Sequence, residues 1–227
     1  MGPLELTDVE LVVGARTILE PMTLRFEPGQ VTAVRGPSGS GKTTLLSIAG
    51  GLLQPTGGTT SYDDRPMWQG DGDPRPEVAF ILQVYGLVPI LSARENVSIV
   101  LRARGASAEQ ADDRADSELS RMHIGDLGDR QVEELSGGQM QRVACARAFA
   151  VGAQVVLADE PTSELDEGNR EHVMSVLQAE AGRGAVVVVA SHDPRVVAAS
   201  DRRLTLDQGR LTDHVEPVHG IRRGRAW

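Results

Sequence analysis

Eight consecutive residues carry the clearest chemistry in this 227-residue chain: Gly36-Pro37-Ser38-Gly39-Ser40-Gly41-Lys42-Thr43, followed by Thr44. They fit the spacing G-x-x-x-x-G-K-[ST] without a mismatch. Glycines at these positions let backbone N–H groups turn inward around a polyphosphate, and a helix starting at the end of the loop adds the positive end of its dipole. Lys42 then neutralises phosphate oxygens, and the Thr43 hydroxyl stands where a Mg²⁺ ligand is needed. Lys42 is also the only lysine in the chain; the other permanently cationic side chains are all arginine. A compact ammonium thus occurs at the one position whose chemistry requires it. The competing reading is a glycine-rich turn that happens to hold a lysine. The flanks argue against it, because Val31–Val34 is a β-branched run and Thr44–Ala49 has helical character.

Two further segments complete a constellation. Asp159 and Glu160 directly follow the apolar run Val155–Ala158. A carboxylate at the carboxyl end of a central strand can organise Mg²⁺, and a second beside it can polarise an attacking water. Alone, such a pair often caps a helix; beside a phosphate loop it gains meaning. In Leu135-Ser136-Gly137-Gly138-Gln139, Ser136 and Gln139 have capping-box spacing, and the glycines leave N–H groups uncovered at a helix start. This is a second anion-seeking helix N-terminus, although one nucleotide site is evident. The economical solution is two chains head-to-tail, each completing the other's γ-phosphate site.

These groups need elements to hold them. Residues 4–34 alternate, with turn signals at Gly14 and Pro28-Gly29, which predicts antiparallel strands leading into the strand before the loop. Gln54–Gly58 reads as a turn, 59–62 as a strand, and the Asp-, Gly- and Pro-rich stretch 63–77 as an exposed loop. Val78–Leu82 predicts a buried strand ending in Gln83. A helical period runs over 87–149, including a helix opened by Ser107 and Gln110 with Ala111, Ala115, Leu119 and Met122 inward and its acidic residues solvated. Val155–Ala158 and Ala185–Ala190 are continuous apolar runs, as strands covered on both faces of a parallel sheet should be. Val173, Val176, Leu177 and Ala181 mark a helix between them, and Leu204–Leu211 predicts a terminal hairpin. The basic tail over 216–227, with Arg222, Arg223, Arg225 and Trp227, could touch anionic lipid, but reads first as a disordered end.

Composition narrows the classes. A net charge of −9 argues against a nucleic-acid partner. The single cysteine, Cys145, rules out an internal disulfide and suits a reducing cytosol. The first residues show no signal-peptide pattern, and Ala185–Ala190 is too short to span a bilayer. Any membrane role is then expected through a partner.

With these motifs in order, residues 4–212 resemble the ATPase subunit of ATP-binding cassette (ABC) transporters. Gly36–Thr44 resembles the Walker A loop, Val155–Glu160 the Walker B strand and Leu135–Gln139 the signature sequence. Gln83 resembles the family's metal-linking glutamine, Ser163-Glu164-Leu165-Asp166 the D-loop, and His192 in Ser-His-Asp the switch histidine. Leu157–Thr162 and Arg94–Val97 look most like the lipoprotein-release, macrolide-export and FtsE-type branch. The resemblance implies an α/β fold: a P-loop NTPase (RecA-like) core with a mostly parallel sheet, an N-terminal antiparallel β subdomain and an inserted α-helical subdomain at about 87–149, in one domain over 1–215. It implies ATP and Mg²⁺ as cofactors, with Thr43, Gln83 and Asp159 toward the metal and Glu160, His192 and Lys42 catalytic. Ser136, Gly137, Gly138, Gln139 and Asp166 complete the nucleotide site, the signature from a second ATPase subunit. Transmembrane permease subunits are the expected further partners, on the cytoplasmic face of the plasma membrane. Tyr85, Leu87, Val88, Ile90 and Leu91 are expected to form an apolar groove for a permease helix or to pack inside the helical lobe.

Two departures stand out. Val12-Val13-Gly14 occupies the place of the family's adenine-stacking aromatic, which predicts weak base selectivity. Glu164 replaces a small D-loop residue, an extra charge expected to disfavour a nucleotide-free dimer. A soluble ABC-type ATPase of DNA repair or translation would normally carry a coiled-coil insertion or two cassettes. A small-molecule kinase would explain the phosphate loop but neither Leu135–Gln139 nor His192.

Overall fold

The computed structural model describes residues 1–215, so the arginine-bearing tail considered above lies outside the described residues. In chain order the elements are β1 (Leu4–Val13), β2 (Arg16–Phe26), β3 (Val31–Arg35), α1 (Lys42–Ala49), β4 (Gly57–Tyr62), β5 (Arg65–Pro66) and β6 (Val78–Ile81). Three helices follow: α2 (Ala93–Ala103), α3 (Ala108–Arg121) and α4 (Gly137–Ala150). Then come β7 (Val155–Asp159), α5 (Glu167–Gly182), β8 (Val186–Ala190), α6 (Pro194–Ala199), β9 (Arg202–Asp207) and β10 (Arg210–Val215).

Two sheets result. One is antiparallel, in the order β2-β1-β4-β5; the other runs β10-β9-β3-β8-β7-β6 and is parallel except for its β9–β10 edge. The terminal hairpin forms as expected, its tight turn made by Gln208 and Gly209 at φ 46° and 77°. Its first strand also joins β3 in parallel, which no local pattern announces.

The four consecutive valines of β8, Val186–Val189, explain why the parallel sheet sits in the middle. Val186 and Val188 face one apolar layer with Leu45, Ile48 and Phe26, while Val187 and Val189 face the other with Phe149, Val173 and Leu177. Successive strand residues point to opposite faces, so a run without polar interruption serves two cores at once. Each fully buried valine contributes roughly 1.5–3 kcal/mol. The β7 run divides in the same way, with Val155 and Leu157 on one side and Val156 and Ala158 on the other. This packing fixes the carboxyl end of β7, where Asp159 lies.

Helices α2, α3 and α4 each open with a capping box, from Ser92–Glu95, Ser107–Gln110 and Ser136–Gln139. The expected inward residues of α3, Ala111, Ala115, Leu119 and Met122, are all fully buried. Its acidic residues are not all solvated, however. Glu118 is 2% exposed, paired with Arg114 at 2.8 Å, and neighbouring Arg121 reaches Glu180 of α5 at 2.8 Å. A carboxylate is tolerated there because arginines surround it. The stretch 63–77 also differs from an exposed loop. Met67 is fully buried, and buried Arg75 donates to the Tyr62 and Arg65 carbonyls at 3.2 Å and to Glu77 at 2.9 Å. Arg75 thereby supplies the donors this turn-rich segment lacks.

Candidate functional site

The loop between β3 and α1 wraps tightly because two glycines permit it. A Cβ on Gly36 would stand 2.0 Å from the Leu206 carbonyl oxygen, and Gly41, the N-cap of α1, adopts φ 103°. Lys42 is 8% exposed, and its ammonium donates to the Gly36 and Pro37 carbonyls at 2.8 and 3.0 Å. Inside the loop the Ser40 hydroxyl is buried with no hydrogen-bond partner. A buried hydroxyl without a partner, beside an inward-turned cation, suits an anionic ligand that would supply the missing acceptor.

Thr43 and Asp159, 116 residues apart in sequence, meet here: the Thr43 hydroxyl donates to Asp159 Oδ2 at 2.5 Å. Burial pushes the Asp159 carboxyl upward, aided by the Glu160 charge, while the Thr43 hydrogen bond and Lys42 pull it down. A hydroxyl and a carboxylate oxygen form the hard-oxygen donor set that Mg²⁺ prefers. Among the described residues no cluster of three or more His, Cys, Asp or Glu could hold a metal without such help.

Glu160 leaves β7 with φ 48°, a left-handed conformation that costs a non-glycine residue of order 1 kcal/mol or more. Its N–H donates to the Ala190 carbonyl at 2.9 Å, tying the ends of β7 and β8 together. Its carboxylate is held from three directions. Ser191 Oγ donates at 3.0 Å, the His192 N–H donates at 3.1 Å, and His192 Nδ1 lies 2.7 Å away. Sequence reading assigned His192 alone; Ser191 was visible in the same Ser-His-Asp triplet but not its partner 31 residues upstream. A cavity of about 480 Å³ opens between Gly36 and Pro37 of the loop and His192 and Pro194 opposite. Lys42, Thr43, Asp159, Glu160 and His192 are thus brought together.

The other predicted residues lie apart. Ser136 Oγ accepts from Gln139 N at 3.3 Å, and Gln139 Oε1 accepts from Ser136 N at 2.8 Å, as the spacing required. The next N–H groups, of Gly137 and Gly138, donate to no acceptor among the described residues. Nearest to them are Glu164, Leu165 and Tyr85 rather than the phosphate loop, and a Cβ on Gly138 would come within 2.7 Å of the Glu164 carbonyl oxygen. Asp166 caps α5, accepting from Asn169 N at 2.9 Å and Nδ2 at 2.8 Å, and these bonds hold its carboxyl below the usual range. Gln83 is two residues past β6 rather than at its end, exposed and without a side-chain hydrogen bond among the described residues. Of the expected apolar groove, Leu87 packs against the helical core, Val88 and Ile90 are exposed, and Val84 joins them.

A family model described as ABC transporter matches residues 19–163. The chain belongs to the ABC transporter family. An ABC transporter ATP-binding protein of Mycobacterium tuberculosis is 38% identical over 226 residues, spanning 96% of this chain and 68% of that one. The macrolide export ATP-binding/permease protein MacB of Campylobacter jejuni is 36% identical over 204 residues, covering 88% of this chain and 32% of MacB. Among solved structures, a dimeric ATP-binding cassette in a post-hydrolysis state with ADP and Pi superimposes with TM-score 0.87 at 32% identity, over 96% of this chain and all of that one. A dimeric bacterial ABC transporter cassette matches with TM-score 0.88 at 33% identity and the same coverage. The cassette is accordingly an ATPase with the mixed α/β fold of these neighbours. No helix among the described residues is long and apolar enough to cross a membrane.

Proposed function

We propose that this cassette hydrolyses ATP as a Mg²⁺-dependent head-to-tail pair and thereby drives a separate export-type permease from the cytoplasmic membrane face. One observation carries the reading. The phosphate loop with Asp159, Glu160 and His192 forms one cluster, whereas the N–H groups of Gly137 and Gly138, which meet no acceptor among the described residues, start a helix beside Glu164, Leu165 and Tyr85 instead. A single copy holds two halves that do not meet. Two copies facing each other would complete both.

In that pair Lys42 and the loop amides bind and orient the triphosphate, and Thr43 and Asp159, with Gln83, would hold the metal. Bound Mg²⁺ neutralises charge on the phosphate oxygens. Glu160, its carboxylate oriented by Ser191 and His192, accepts the proton of the attacking water. His192 contacts the terminal phosphate, and Ser136 and Gly138 of the opposite copy close over it. ATP favours the closed pair because the terminal phosphate touches both copies, and its loss reopens them. Exposed Val84, Val88 and Ile90, at 80%, 40% and 80% exposure, offer an apolar patch for a permease helix.

Mixing Ser136→Ala chain with Lys42→Ala chain tests the arrangement. Half of the pairs are then mixed and hold one intact site of two, so about a quarter of wild-type turnover returns from inactive components. A dead mixture, together with wild-type turnover per chain that is independent of protein concentration, would overturn the reading.

A further inference from the structure

The backbone just after Gln83 is unusual. Tyr85 and Gly86 are consecutive left-handed residues, at φ 58° and 62°. For glycine this is unstrained, but a tyrosine persists there only when its surroundings enforce it. The enforcing group is Arg147 of α4. Its guanidinium donates to the Tyr85 carbonyl at 2.6 Å and also to the Gly86 carbonyl. Burial lowers the Arg147 pKa, and among the described residues no carboxylate pairs with this cation. A desolvated arginine satisfied by two main-chain oxygens is a demanding arrangement, and it serves to fix one turn.

The same tyrosine returns to the other end of α4. A Cβ on Gly137 would stand 3.3 Å from Tyr85 Oη and 3.2 Å from Glu164 Oε2. Burial and the Glu164 charge both raise the Tyr85 hydroxyl, so it stays protonated. Tyr85 therefore meets α4 twice, through its backbone at Arg147 and through its hydroxyl beside the first helical glycine, with Gln83 only two residues away.

We propose that Arg147 and Tyr85 are positioning residues that lock the placement of Gln83 to that of the Gly137–Gly138 turn, so that the metal-side and partner-side halves of the site move as one body. The inference rests on the reading of Gln83 and Gly137–Gly138 as nucleotide-facing groups. Neither Arg147 nor Tyr85 touches the reacting atoms; they act through others.

A double-mutant cycle on the full chain separates this role from simple stabilisation. Arg147→Lys keeps the charge but replaces the planar fork, whose two nitrogens reach Tyr85 and Gly86 separately, with a single nitrogen on a different stem. Gln83→Ala and Arg147→Lys are each expected to lower kcat about tenfold, and the double variant to fall no further, because both remove the same placement. Arg147→Lys should also raise the Mg²⁺ concentration for half-maximal turnover while leaving metal-free ATP binding within about twofold, since Lys42 and its loop are untouched. Tyr85→Phe, which keeps the ring and hence the fold, should raise the ATP concentration needed for dimerisation of a Glu160→Gln background. Additive losses in the cycle, or an unshifted Mg²⁺ titration, would overturn the proposal. Wild-type turnover in Gln83→Ala would instead sink the underlying functional reading.

Discussion

Replacing Glu160 with glutamine separates catalysis from architecture. Glu160 Oε1 takes two hydrogen bonds from His192, at 3.1 and 2.7 Å, and Oε2 takes one from Ser191 at 3.0 Å. An amide of the same shape keeps both His192 bonds on its oxygen. Its NH₂ group then faces Ser191 Oγ, which can rotate to accept, as it already does from Asp193 N at 3.1 Å. The structural cost is one rearranged hydrogen bond, about 0.5–1.5 kcal/mol. Loss of a general base lowers turnover by about 10²–10⁴, equivalent to about 2.7–5.5 kcal/mol in the barrier. Catalysis should therefore collapse while folding and ATP binding survive, leaving an ATP-bound dimer that does not reopen. Phosphate release under saturating ATP, paired with sedimentation in the presence and absence of ATP, reads both effects. Turnover within tenfold of wild type would refute the assignment, and so would lost turnover without any ATP-dependent dimer.

Four other outcomes follow from particular contacts. Gly36→Ala, whose Cβ would meet the Leu206 carbonyl oxygen at 2.0 Å, should cost more than about 3 kcal/mol or abolish ATP binding, read by thermal melting with and without ATP. Val12 and Val13, 37% and 60% exposed, offer apolar surface but no ring, forgoing about 0.5–1.5 kcal/mol of stacking; kcat/KM for GTP should lie within about tenfold of that for ATP. Burial pushes the Cys145 thiol up to about 12, so thiol reagents should label it only on unfolding, and rapid native labelling would contradict its placement. Burial alone would raise Glu77, but hydrogen bonds from Arg75, its own backbone and Arg65 hold it at about 2, below its ordinary 4.5. Its stabilisation is therefore fully present above pH 4.5 and lost as pH falls through 2; Glu77→Gln should destabilise the fold by about 1–2 kcal/mol at pH 7, with the difference shrinking steadily as pH is lowered from 4.5 through 2.

Much of this was legible in the chain itself, for local reasons. The valine run of β8 and the spacing of Gly36–Thr43 are patterns that one stretch of backbone enforces alone, and each capping box lies within four residues. What escaped detection depends on distant partners. Glu118 is acidic on a helix and looks solvated until Arg114 and Arg121 are seen around it. Arg75 and Met67 are buried within a stretch whose composition signals only turns. Glu160 was read from its place after an apolar strand and His192 from the resemblance, but their hydrogen bond spans 32 residues and needs β7 and β8 to be neighbours. The left-handed Tyr85 is likewise held by a residue 62 positions away.

The solitary lysine has a practical corollary. Because the chain contains a single ε-amino group, any reagent selective for side-chain amines addresses one atom, and that atom donates to the Gly36 and Pro37 carbonyls. The extent of acylation at Lys42 thus becomes a direct gauge of how often the loop stands open, and a bound triphosphate should shield it.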